Sequence, residues 1–443
     1  MDLNKEAMIR KLKQNQFPLY VIVVLAYMLI AFSRGAPAIM GPDLIKDLQL
    51  TAAQWGLVGL AFFWTYAIGN APSGAIADIV GPRKTVLACL LLLAGGCYIF
   101  SAAQSLTMVI VGRMVVAVGT AGLMIAGIKL ISSWFTVKQF PLYYGGYLGL
   151  GGLGSVFATA PLQLLMNSYG WRTSFVIIAA GTLAMMVVAH FFVKDRPADI
   201  GLPTPDELAG EEAPQEKKTD APTIGWMAAT RQLLAMPRLW IIGLYFLGSN
   251  STGQVIASMW GGILLANVYG FDKATISSIL TISAFGLVAG SLVAGWICKR
   301  IGSTGVMLST GVLFLVTWLY MLLNLRSLSV LELQVIYSII GFVQMYAVVG
   351  GMSCVRELIS GDMVGTAIGG VNTFSWIFGA GLFNQIWGLI IDAVAKGRTP
   401  YPVEAFTAAM WVQTGILVIT LVCAATMWKL MRKPKVTMPN ANA

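Results

Sequence analysis

The sequence predicts an all-α integral membrane protein, with twelve transmembrane helices in two pseudo-symmetric six-helix bundles. Three observations predict it. Hydrophobic residues make up 57% of the 443-residue chain and charged residues only 11%, where a soluble domain carries about 25% charged residues. Apolar runs long enough to cross a bilayer, about 20 residues each, recur along the whole chain. One polar, proline-bearing stretch divides them six and six.

The first expected span runs from about Phe17 to Met40, after a mixed-charge tail that includes Lys5, Glu6, Arg10, Lys11 and Lys13. The run is too long for a signal h-region and lacks a cleavage site, so the tail is expected to lead into an uncleaved first span. Further spans are expected over 53–77, 86–103, 107–135, 143–166 and 173–193. Residues 194–223 gather charge and proline, cannot bury apolar surface, and read as a solvated, partly disordered linker. Residues 224–235 read as an amphipathic interfacial helix. Six spans follow, over 239–265, 276–298, 304–324, 333–355, 364–393 and 406–431. The organisation expected is a bundle over 1–193, a linker over 194–238, and a second bundle with a short tail over 239–443.

The formal net charge is +10. Its basic residues cluster at span ends, so they set topology and do not indicate nucleic acid. With the N-terminus inside, the cytoplasmic segments hold Arg10, Lys11, Arg83, Lys84, Lys138, Lys299, Arg300, Arg356 and Lys429, among others. The opposite loops hold only Lys46, Arg172, Lys273, Arg326, Lys396 and Arg398. Both termini and the linker are therefore expected in the cytoplasm, and the chain in the inner (plasma) membrane. The five cysteines lie in or beside apolar runs with no metal spacing, and His190 has no partner histidine. No phosphate-cradling glycine loop with Lys-Ser/Thr occurs, nor any nucleophile–base pattern. No cofactor and no enzymatic activity are expected.

Arg34 stands inside the first apolar run. Arg stays charged in proteins, and a charge at bilayer depth costs at least about 2.5–3.5 kcal/mol. Either it faces a water-filled cavity and binds an anion, or it snorkels to an interface or pairs helices. Arg113 lies in the fourth span and Lys129 further along it. Arg34 and Arg113 are expected at similar depth, because one span runs outward and the other inward. No central Asp or Glu balances them; Glu332, Glu357, Asp392 and Glu404 sit near span ends. Two guanidinium forks with no counter-charge suit a carboxylate. Tyr27 lies two turns before Arg34, on the same face. Asn250, Ser251 and Gln254 beside Gly248 and Gly253 read as an irregular, cavity-lining seventh span. Gln344 and Tyr346 in the tenth span and Asn372 and Trp376 in the eleventh are further polar candidates, each equally open to a role as interhelical glue. The run from Gly145 to Gly154, with Pro161, reads as a close-packing helix face with a hinge.

Gly74, Asp78, Gly81 and Arg83 form Gly-x-x-x-Asp-x-x-Gly-x-Arg-Lys at the end of the second span. Gly74 would allow close helix contact, and Asp78 could pair with Arg83 or cap another helix, as in a gate. A weaker echo, Gly295 to Gly302, closes the second span of the second half, with Lys299 where the Asp would stand.

This pattern resembles the signature loop of the major facilitator superfamily, with Ile79 where that family usually has Arg. Phe62 to Asn70, Ser133-Trp-Phe135, Gly170-Trp-Arg172, Arg196 to Leu202 and Gly365 to Asn372 sit where members carry similar strings. Within the family the first four spans are most similar to the anion:cation symporters of sugar acids and other organic anions. Tyr27, Arg34 and Ala36-Pro-Ala-Ile match that group's first span, whose Arg binds the substrate carboxylate. Arg113 matches its second Arg, and Lys129 a basic position of the same helix. The group's proton-carrying Asp falls on Ser33 and its fourth-span Glu on Thr120. The resemblance implies the major facilitator fold and alternating access. It also implies a monomer in the lipid bilayer that carries a small organic anion, by proton-coupled symport. Anion exchange, or a transporter-like anion receptor, are the alternatives.

Overall fold

The computed structural model describes residues 2–209, 235–359 and 364–432. The expected interfacial helix over 224–235 and the second half of the linker lie almost wholly outside the described residues. Helix dominates, and there is no strand among the described residues. The spans are Asp2–Leu48, Ala52–Ile79, Pro82–Ser101 and Leu106–Trp134 for the first four. The fifth begins as Phe140–Gly152 and Gly154–Phe157 and ends in the first part of Ala160–Phe192, whose remainder is the sixth. The seventh is Pro237–Gln254, Val255–Trp260 and Gly261–Tyr269, and Lys273–Leu323 contains the eighth and ninth. The tenth is Val330–Leu358, the eleventh Val364–Phe374, Ser375–Leu382 and Phe383–Ala395, and the twelfth Val403–Arg432.

Two long helices each turn a corner at a glycine, Gly170 (φ 74°, ψ 165°) and Gly302 (φ 76°, ψ 166°). Gly81 (φ 93°, ψ 145°) makes a similar corner between the second and third spans. Backbone of this kind is essentially confined to glycine. The sequence echo between Gly81 and Gly302 is therefore a shared backbone turn, although its charges differ. Side-chain caps start several spans. Thr51 and Gln54 form a capping box at the second, Ser105 caps the fourth, Asp272 the eighth, and Ser329 with Glu332 the tenth.

Outward faces are apolar. Leu164, Leu292, Val316, Leu323 and Val422 are exposed along the spans, as a lipid-facing belt requires.

The tail continues into the first span, and one expectation, that of a solvated linker, changes. The charged tail is helical from Asp2, buries Leu12, and its Lys11 Nζ donates to the Ile200 carbonyl at 3.0 Å. The linker's first part is docked rather than solvated. Pro205, Leu202 and Leu208 are buried, Asp195 accepts from the Arg83 backbone N–H at 2.7 Å, and Asp206 from that of Val137 at 3.2 Å. Its few apolar side chains find a surface at the span ends, which composition alone does not show.

The first six spans meet the last six most closely at the end away from the chain termini, here the far end. There the backbones touch. A Cβ on Gly56 would stand 2.6 Å from the Asn384 carbonyl oxygen, and one on Gly388 or Gly262 would run into the carbonyl of Ala52 or Ala38. The Ala38 carbonyl is left without its helical partner by Pro42. Asp392 of the eleventh span accepts from the Ala52 and Ala53 backbone N–H groups, both at 2.8 Å, and so caps the second span across the interface. Lys273 pairs with Asp43 across the same seam at 2.6 Å. At the terminal end, a Cβ on Gly74, Gly295, Gly365, Gly369 or Gly370 would meet nothing within 4 Å. Among the described residues, backbone contacts of this kind close the far end, and these five glycines at the terminal end make none.

Replacing Asp392 with Ala leaves two helix N–H groups and part of the helix dipole uncompensated, worth about 1–2 kcal/mol. The far-end-closed population should fall roughly 5–30-fold relative to the open one. Spin labels at the far ends of the second and eleventh spans should report it as a longer distance; an unchanged distance distribution would show that the cap is incidental.

Candidate functional site

Arg34 is half-buried, on the first span where it faces the second and eleventh. Its guanidinium lies 4.6 Å from the Tyr66 ring centroid and 4.6 Å from that of Trp376. The two rings meet edge to face at 5.5 Å, and Phe63 stacks on Trp376 at 5.6 Å. Trp376 is oriented by its indole N–H, which donates to Asn372 Oδ1 at 3.1 Å. Arg34 Nε is buried without a hydrogen-bond partner, and Arg34 has no carboxylate among the described residues. Aromatic rings attract and orient a guanidinium but do not neutralise it.

Arg113 is buried and lies 4.1 Å from the Phe62 ring centroid. Its Nη1 donates to the Ser33 carbonyl at 2.8 Å. That carbonyl belongs to the residue four before Pro37, which has no N–H to offer it. Arg113 therefore fills the gap that a proline opens in the first span, directly before Arg34. Its Nε and Nη2 remain buried without partners. Arg113 thus reaches the backbone of the residue before Arg34 through one hydrogen bond.

The other expected site residues divide. Tyr27 is half-buried against Tyr147, ring centroids 4.7 Å apart, and against Gly151. Asn250 donates from Nδ2 to the Ser375 hydroxyl at 3.0 Å and carbonyl at 3.2 Å, tying the seventh span to the eleventh. The Gln344 side chain packs on Gly253, and its Oε1 is buried without a partner. Gln254 is buried at the end of the regular part of the seventh span, and its side-chain amide makes no hydrogen bond among the described residues. The irregularity expected there comes one residue later, as a π-helical turn over Val255–Trp260. A second π-helical stretch, Ser375–Leu382, holds Trp376. Such widened turns often mark functional positions.

Lys129 is not beside the two Arg residues. It forms an ion pair with Asp78, and its Nζ donates to the Gly74 carbonyl at 2.7 Å. The expected Asp78–Arg83 pairing is absent. Arg83 instead donates from Nη2 to the His190 carbonyl at 2.7 Å, because the sixth span's end lies closer to it. Gly74 serves through its carbonyl, not through close helix contact. The Lys129→Met variant should release Asp78 and shift the balance between closed and open terminal ends, with anion affinity changed less than about threefold. A tenfold loss of affinity by titration calorimetry would return Lys129 to the binding site.

No Asp or Glu among the described residues lies in the middle of a span. Asp47 pairs with Arg172, Glu404 with Arg326, and Ser303 donates to Glu357. The Ser33 hydroxyl donates to the Leu29 carbonyl at 2.7 Å and the Thr120 hydroxyl to that of Ala117 at 2.9 Å. The two guanidinium groups therefore lie against aromatic rings, and neither is paired with a carboxylate among the described residues.

Tyr66 is the contact that inspection of single charges misses. Phe62, Phe63 and Tyr66 recur at helical spacing, and that periodicity was the available signal.

The sequence model of the Major Facilitator Superfamily matches residues 23–383. A probable sulfoacetate transporter of Cupriavidus necator is 22% identical over 282 residues, which cover 63% of this chain and 64% of that one. A hexuronate transporter of Escherichia coli K12 is 24% identical over 296 residues, 65% of this chain and 66% of that one. The match thus spans slightly less than two thirds of either relative. Among solved structures, a bacterial homolog of the human lysosomal transporter Spinster, inward-facing and unoccupied, superposes with a TM-score of 0.73 at 17% identity, covering 94% of this chain and 97% of that one. At that identity the likeness speaks for the fold alone.

Proposed function

This chain belongs to the Major Facilitator Superfamily, and we propose that it carries a small organic anion across the membrane by alternating access. One observation carries the reading. Arg113 donates to the carbonyl of Ser33, the residue before Arg34, and both guanidinium groups keep buried N–H groups without a hydrogen-bond partner and form no ion pair with a carboxylate among the described residues. An unbalanced positive centre in a membrane protein calls for an anion. Relatives named for sulfoacetate and hexuronate carry organic anions, which supports the sign of the cargo.

In this reading Arg34 offers the edge of its guanidinium to a carboxylate while Tyr66 and Trp376 hold its faces. Arg113 contributes the second fork, and Tyr27, Asn250, Gln254, Gln344 and Asn372 are the polar groups that sort cargo. Residues 1–193 and 239–443 are the two rocking bodies, joined by 194–238, and Gly74, Asp78, Gly81 and Arg83 belong to the terminal-end gate. With both termini in the cytoplasm of a cell whose inner (plasma) membrane holds the chain, the sealed far end is the outer one. The open state is then the inward-facing one. The carrier works as a monomer.

The test is uptake of a panel of labelled carboxylates into proteoliposomes of the full chain, with and without a pH gradient. At least one small carboxylate should enter in a saturable, Arg34-dependent manner. Failure of the whole panel, with correctly inserted protein, contradicts the reading.

A further inference from the structure

Resting on that reading of the site, we propose that Gln413 of the twelfth span is a positioning residue for cargo: acting through Ser251 and Thr252, it fixes how the polar run of the seventh span is turned. Gln413 has no exposed surface, so it does not itself meet cargo. Its Nε2 donates to Ser251 Oγ and to Thr252 Oγ1, both at 2.8 Å. Successive residues of a helix point about 100° apart. One amide that reaches both therefore fixes the rotation of the seventh span as well as its height. The twelfth span comes this close because Gly248 has no side chain. A Cβ there would run into Thr420 Oγ1 and stand 3.0 Å from the Ile416 carbonyl oxygen. Gln413, Ile416 and Thr420 share one face of the twelfth span at helical spacing.

The seventh span needs such a tie. Gly248, Ser249, Asn250, Ser251, Thr252 and Gly253 are consecutive residues of low helix propensity, and the π-helical turn begins directly beyond Gln254. The hydroxyls of Ser249, Ser251 and Thr252 bond back to carbonyls of their own helix, at Tyr245 and Gly248, a pattern that bends helices. The geometry of this stretch is therefore set by the neighbouring spans. Asn250 is tied to Ser375 of the eleventh, and Gly253 carries the Gln344 side chain of the tenth. Ser251 and Thr252 lie on the face turned away from Asn250 and Gln254, and Gln413 holds that face. Ordinary packing does not account for the amide. Gln413 Oε1 is buried without a hydrogen-bond partner, and an orphaned buried acceptor is a cost that a leucine would avoid. What the amide adds over leucine is its pair of donated hydrogen bonds. Without them the seventh span is free to turn, and Asn250 and Gln254 turn with it.

Wild-type and variant full-length carriers are reconstituted into proteoliposomes, and uptake of labelled carboxylates, glucuronate and malonate among them, is measured against concentration. Gln413→Leu keeps the bulk of the side chain and removes both donors, while the two hydroxyls still bond to the Gly248 carbonyl. Its KM should rise about tenfold, with the maximal rate per inserted carrier kept within about twofold. A purely structural role would instead lower the amount of inserted protein or the rate and leave KM unchanged. Ser251→Ala/Thr252→Val removes the acceptors in place of the donor. It should raise KM to the same extent, and adding Gln413→Leu to it should raise KM no further. An unchanged KM in Gln413→Leu, or in Ser251→Ala/Thr252→Val where Gln413→Leu does not insert, overturns the positioning role and leaves the carrier reading standing. Effects that multiply on combination do the same. Uptake of no acid of the panel by inserted wild-type protein overturns both.

Discussion

Arg34→Ala should weaken anion binding by roughly two to three orders of magnitude while the protein still folds and inserts. Removing one side of a desolvated charge pair typically costs about 3–5 kcal/mol, and 1.4 kcal/mol is a factor of ten. The loss should fall on binding because Arg34 has no structural partner to abandon: its contacts are the Tyr66 and Trp376 rings and no hydrogen bond among the described residues. Arg34→Lys should rescue little. An ammonium has neither the planar faces that fit between two rings nor the fork that meets a carboxylate. Trp376 provides a readout, since its indole lies against the guanidinium; carboxylate-dependent fluorescence changes should vanish in both variants and in Trp376→Phe. Arg113→Ala should cost stability as well as affinity, because it also abandons the Ser33 carbonyl that Pro37 leaves open. Unaltered affinity in Arg34→Ala would move the site elsewhere.

Gly388→Leu should abolish turnover while sparing binding. A Cβ there meets the Ala52 carbonyl oxygen and lies 2.9 Å from the Ala52 carbonyl carbon. Backbone cannot step aside as a flexible side chain can, so the eleventh and second spans must part. Parting them also pulls Asp392 from the Ala52 and Ala53 N–H groups. The far end then stays open, and uptake should fall more than about 100-fold with affinity kept within about threefold. A distance measured across the far end should lengthen. Full turnover with an unchanged distance would mean that this seam is not the gate.

The fold was legible because hydropathy is a one-dimensional signal and each span buries or exposes its own residues. Eight described helices are long and apolar enough to cross a membrane. Two of those are pairs of spans folded at Gly170 or Gly302. The second span and the broken seventh complete the set. Arg34 was legible for the same reason, as a charge where charge is expensive. What stayed hidden depends on partners from distant segments. The sequence shows Lys129 and Asp78 as charges 51 residues apart, and nothing local says that they meet. The docking of 195–208 rests on a handful of contacts in a stretch whose composition is polar. Arg113's hydrogen bond could have been anticipated in part, since Pro37 marks Ser33 as a carbonyl in need of a donor. Which donor arrives is decided by helix packing. The π-helical turns around Val255 and Ser375 carry no known local pattern in these residues.

The most direct measurement is calorimetric titration of the purified protein with small carboxylates, each beside its own neutral methyl ester. The account predicts that at least one acid binds and that its ester, nearly the same in size and shape, binds at least about 100-fold more weakly. An ester that binds as well as its acid, or a full panel of acids without heat of binding, would contradict a site built around two uncompensated guanidinium groups.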